Sequence, residues 1–189
     1  MDIGDSSEEI RSAEEVAKRT LALFSIVGVA LGADRREVVQ WLLDNELWSA
    51  LAPSEVGFLD SPSPSLKQVV DATWLSERLV VLAWALGHVS ELPDGDEQCD
   101  PSIFQESLPP FSGSDVREFI AGSAVRPKAE LIVIADEILN LHWEARDAKI
   151  NSRKPRMPVN LEIIQERHHA INWIIGYDGL PWDEVTTDT

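Results

Sequence analysis

A chain of 189 residues, 44% hydrophobic and 26% charged, suits one soluble globular domain with a sizeable core. Its 33 acids against 16 bases leave a net charge of −17, which repels nucleic acid, favours a basic partner and also serves plain solubility. The single cysteine, Cys99, excludes an internal disulfide and any cysteine-based metal cluster, and fits a reducing, cytoplasmic setting.

Met1 to Arg11 is acidic and poor in large apolar groups, so a flexible end is expected there, with one helical domain from Ser12 to Thr189. An acidic start is not that of a signal peptide. Ser12 and Glu15 have capping-box spacing, predicting a helix to about Leu31 with Gly32 as its stop. Asp34 is placed to cap a second helix through Val38, Trp41 and Leu42, followed by short turns at Trp48 and at Pro53 to Leu59. Asp60 to Ser65 reads as a loop. One long helix is predicted from Leu66 to about Ser90, apolar almost all round between Leu79 and Leu86. Neither that run nor Leu21 to Ala33, broken by Ser25, Gly28 and Gly32, offers the ~18 apolar residues of a membrane span.

Leu92 to Asp100 is an acidic loop carrying Cys99. A short turn at Pro101, a break at Pro109 and Pro110, and a short helix from Ser114 or Asp115 follow. Arg126-Pro127 opens a long helix to about Ile150. Asn160 caps the last one, which ends near Gly176 ahead of an irregular tail. No alternating strand pattern of useful length occurs. The expected fold is an all-α, single-domain bundle of about seven to nine helices with an irregular C-terminal tail.

At ~100° per residue, the last two helices carry polar groups where the core should be. Arg167 falls amid Ile164, Ile171 and Ile174, and His168 stacks with Ile164 and Ile175, while Glu166, His169, Asn172 and Trp173 fall on the opposite face. In the preceding helix His142 sits between Leu131, Ile138 and Ala145, with Arg146 one turn on. An arginine cannot neutralise itself, so a buried one needs an acceptor. Glu77, on a face with Val81 and Trp84, is the best internal candidate, ahead of Glu130, Asp183 and Asp188. The candidate polar cluster is therefore Glu77, Glu130, His142, Arg146, Arg167, His168, Asn172 and Asp183. Trp182 would anchor a tail whose acids reach Arg146 or Arg167. Such a cluster is either a lock fixing helix register and tail, or a pocket converging on an anionic group.

The same residues carry a resemblance. The chain is similar to a bacterial family, domain of unknown function 4272. The likeness runs through Arg11-Ser12-Ala13-Glu14-Glu15-Val16-Ala17 with Arg19, Pro53-Ser54-Glu55, Trp74 with Glu77, and Arg126-Pro127 with Glu130. It continues in His142-Trp143, Glu166-Arg167-His168, Asn172-Trp173 and Trp182-Asp183. It departs at His169, where the family pattern has an aromatic, and after Glu130, where a more acidic run is expected. The resemblance implies a soluble, mostly helical domain and supplies no activity.

Tests for chemistry are mostly negative. Glu166 and His169 form one Glu-x-x-His face, but a di-iron bundle needs two such motifs plus two further glutamates, so no metal or cofactor is expected. There is no His-Glu-x-x-His motif, phosphate-binding glycine loop or nucleophile elbow. Acidic neighbours raise the pKa of the Cys99 thiol and disfavour a reactive thiolate. The expected function is a non-catalytic acidic binding protein, exemplified by an immunity-type inhibitor of a basic toxin or effector. The alternative is an enzyme or small-anion-binding protein acting through the buried His/Arg/Glu cluster.

Overall fold

The structure, a computed structural model, describes residues 9–189; of the end expected to be flexible, Met1 to Arg11, the part up to Glu8 lies outside the described residues, while Arg11 is bonded to Ile174 and Leu180 rather than frayed. The helices are α1 (Ala13–Ala30), α2 (Arg35–Asp44), α3 (Pro53–Asp60), α4 (Leu66–Trp74), α5 (Ser76–Ala85), α6 (Val116–Gly122), α7 (Lys128–Ile150) and α8 (Leu161–Ile175). Short 3-10 turns occur at Trp48, Pro101, Tyr177 and Trp182, and there is no strand among the described residues. The protein is all-α, and none of these helices is long and apolar enough to cross a membrane.

Most helix starts lie where their caps predict. Ser12 and Glu15 close a reciprocal capping box, Asp34 accepts from the Arg36 and Glu37 amides, and Asn160 accepts from Glu162. Each satisfies amides that the first helical turn leaves without a carbonyl.

The continuous helix expected from Leu66 to Ser90 is instead two, α4 and α5, meeting at Leu75 and ending at Ala85. The break has a tertiary cause. The Gln98 carboxamide donates to the Thr73 carbonyl (3.0 Å) and to Ser76 Oγ (3.1 Å), so the acidic loop holds the chain where the helices part. At the far end Gly87 takes φ +79°, and the His88 amide turns back to Ala83 O at 2.9 Å. That left-handed stop suits glycine. The Arg126 side chain then takes up the Trp84 and Val89 carbonyls.

Two apolar clusters form the core. The larger joins α5, α7, α8, one face of α1 and Trp182 of the tail; the smaller joins the other face of α1 to α2, α3, Ala72 and Val116. α5 is buried nearly all round, as its composition predicts. Helix α8 packs against both α5 and α7. Its C-terminal stop, Gly176 at φ +75°, lies directly against the Glu9 carbonyl, so the start of the described chain closes over the end of α8. Arg11 strengthens that closure. Its amide donates to Ile174 O at 2.9 Å and its guanidinium to Leu180 O at 2.6 Å.

Candidate functional site

Four consecutive polar residues of α8 reach four different neighbours, because successive side chains on a helix point ~100° apart. Glu166 pairs with Arg78 of α5. Arg167 pairs with Glu77, also of α5, its Nε donating to Oε2 at 2.8 Å. His168 meets His142 of α7, and His169 packs edge-on against Trp182 of the tail at 4.8 Å.

The Arg167–Glu77 pair is enclosed, at 3% and 0% exposure. Arg167 also donates to the Pro93 and Asp94 carbonyls, and Glu77 Oε1 accepts the Cys99 amide at 2.6 Å. The pair thus stitches the acidic loop to two core helices. Cys99 is buried beneath that loop, and its thiol is pushed up to about 12, by burial first and then by the Glu77 charge. The direction is the expected one, but the cause is burial and then Glu77 of α5, not the acidic neighbours in the loop.

His142 and His168 face one another Nδ1 to Nδ1 at 2.9 Å, both 3% exposed. One ring donates and the other accepts, so the accepting ring is neutral. Burial, and then the neighbouring Arg146 charge, lowers the pKa of His142; burial and His142 bring His168 down to about 4.

Of the other cluster members, Asn172 is buried and donates to Thr186 O at 3.0 Å, docking the tail. Glu130 lies outside the cluster, on the surface beside Arg126 at 3.2 Å. Arg146 is exposed rather than within the apolar arc, and reaches the tail through Thr189 O at 2.8 Å. Asp183 is also exposed and forms no ion pair among the described residues; the acceptor for Arg167 is Glu77 and not the tail. The α8 face expected to be polar is largely covered, with His169, Asn172 and Trp173 all buried. Trp182 provides that cover, stacking edge-on to Trp173 at 5.2 Å.

Trp182 also reveals residues outside the predicted cluster. Arg19 of α1 lies over its ring at 4.0 Å and pairs with Glu55 of α3, at 3% and 4% exposure. Glu55 additionally accepts the Ala52 amide at 2.8 Å. The signal for Arg19 is present in the sequence: it sits one turn from Val16 and one turn from Leu23, both fully buried. Glu55 gives no such signal, because α3 is too short for a face to be defined. Arg78 completes the group, with Nη1 3.2 Å from His169 Nε2. An arginine only donates, so His169 Nε2 must accept and the ring is neutral. Burial and then the Arg78 charge hold its pKa down to about 3.

These residues back a cleft of about 650 Å³ bounded by α3, α4, α5, α8 and the tail. Its walls include Trp74 and Trp182, with Asp71, Glu162, Glu166 and Asp183 around them. Its arginine, Arg78, is already bonded to Glu166 and His169, so the unsatisfied charge of the cleft is negative. Glu166 and His169, the one metal-type pair in the sequence, are both engaged with Arg78, and no cluster of three metal-type ligands occurs among the described residues.

The family model described as domain of unknown function (DUF4272) matches residues 3–185. No curated protein and no solved structure matches the chain.

Proposed function

Because the chain belongs to the DUF4272 family, whose description assigns no chemistry, we propose a function from the site itself: a non-catalytic, acidic, cytoplasmic binding protein for a basic protein partner. An immunity-type inhibitor of a basic toxin or effector is the form that best suits its small size and charge.

The cleft beside α8 carries this reading. A lysine or arginine side chain entering it meets the half-buried ring of Trp74, and an aromatic face attracts cations. It also meets carboxylates. Asp71 and Glu162 pair only with the exposed Lys67 and Lys149, at 2.5 and 3.8 Å, and such surface pairs are readily exchanged. The net charge of −17 extends the same complementarity over the whole surface and favours fast, salt-sensitive encounter. The enzyme or anion-binding alternative has less support from the buried His/Arg/Glu cluster. Arg167 is committed to Glu77 and two carbonyls, and the two histidines are committed to each other. A small anion entering the cleft would meet mostly carboxylates.

The test is capture from the native host at low and high salt, repeated with Asp183→Lys and Asp71→Lys. A basic protein retained at low salt, released at high salt and lost by the charge-reversed variants is the expected result. Absence of any salt-sensitive basic partner would overturn the reading.

A further inference from the structure

On the other side of α8 lies a groove of about 680 Å³, between α7 and the loops around Leu92 and Met157. Its floor is apolar, built from Trp84, Ile138, Leu141 and Ile164, and Val133 and Met157 stand 55% and 59% exposed at its edge. Exposed apolar surface gathered in one concave place marks a binding surface more often than scattered residues do.

The charges around the groove say what kind of occupant fits. Two arginines line it, and both are used internally. Arg167 bonds Glu77 and the Pro93 and Asp94 carbonyls; Arg126 bonds the Trp84, Val89 and Ser90 carbonyls and Glu130. Arg126 additionally lies over the Trp84 ring at 4.9 Å. Glu91, Asp94 and Glu137 also line the groove and form no ion pair among the described residues. The rim therefore offers negative charge above an apolar floor. An anionic membrane or fatty-acid headgroup would be repelled, whereas a segment with one apolar and one basic face is matched on both counts.

The length fits a helix. Along α7 the lining runs from Ala129 to Leu141, roughly 18 Å at 1.5 Å per residue, which accommodates about three helical turns. Anchors spaced one turn apart on a partner helix enter such grooves apolar face first.

We propose that this groove is the docking surface for a basic amphipathic helix of the partner. The proposal rests on the reading above that the partner is a basic protein, and adds which element of it binds and where.

The probe is a synthetic helix-forming peptide of leucine and lysine, with leucine at every third and fourth position, titrated calorimetrically into the full chain. We expect saturable binding that weakens about tenfold or more from low to high salt, and about tenfold or more with V133K or E137K. Both positions are exposed, so circular dichroism should show both variants folded. The same peptide with glutamate for lysine should not bind. Failure of the lysine peptide to bind at low salt, or equal binding to wild type and both variants, overturns the proposal. A captured basic partner that V133K and E137K leave bound, while Asp183→Lys releases it, overturns the groove and leaves the basic-partner reading intact. Absence of any captured basic partner is the separate failure of that reading.

Discussion

Arg167 and Glu77 stand 90 residues apart in the chain and meet in the core, Nε donating to Oε2 at 2.8 Å with Glu77 fully enclosed and Arg167 only 3% exposed. A buried pair of this kind adds little net stability over an apolar pair of the same shape, but losing one partner leaves the other charged and alone.

Glu77→Gln should therefore cost about 3–5 kcal/mol in urea unfolding, the range for an orphaned buried charge. Pairing it with Arg167→Met should recover much of that loss, since the stranded charge is then gone. A double variant as unstable as the sum of the two singles would contradict this account.

Stability should fall with acid earlier than carboxylate titration alone requires. In the unfolded chain a histidine protonates near its ordinary value of about 6.5, whereas His168 and His169 resist until about 4 and about 3. Between those values the unfolded state binds more protons, so stability drops as pH falls from about 6.5 and the loss is complete below the folded values. Urea midpoints measured from pH 7 to 4 should show it. His168→Asn should flatten the His168 part of that slope, and an unchanged slope would show that the pair is not its source.

Cys99 should be silent toward thiol reagents in the native protein. It is buried, and its thiol is held up to about 12. Labelling with a disulfide reagent at pH 8 should proceed only as fast as the chain opens, and accelerate steeply in urea. Stoichiometric labelling within seconds without denaturant would contradict the buried position.

Trp182→Ala should undock the tail at a cost of about 3–5 kcal/mol, the range for truncating a buried large aromatic. Hydrogen exchange should rise across Leu180 to Thr189 and extend to α1 near Arg19, which loses its aromatic platform. By contrast Arg146→Ala, at an exposed contact with Thr189, should change stability by less than about 0.5 kcal/mol.

Much of the fold is legible in the sequence because caps and stops are local devices. Ser12, Asp34, Asn160 and Gly176 act within a turn of themselves and mark real helix ends. The break at Leu75 is not legible, because its cause is Gln98, in another loop. The Arg167–Glu77 pair is legible since both charges interrupt apolar arcs long enough to define a face. Arg146 lies beside the apolar arc of α7, where a small rotation decides between core and water, and Glu130, offered only as a possible acceptor, finds Arg126 at the surface instead. The polar face expected for α8 fails for another reason. A tail without periodicity supplies Trp182 as its cover, and no helical wheel contains that information.

The run Glu166-Arg167-His168-His169 has a mechanical consequence. Its members fit an arginine, a carboxylate, an imidazole and an indole respectively. A slip of α8 by one residue would set Glu166 against Glu77 and Arg167 against His142, mismatching both of those sockets at once. The helix is keyed like a shaft, and sliding along its axis is closed to it.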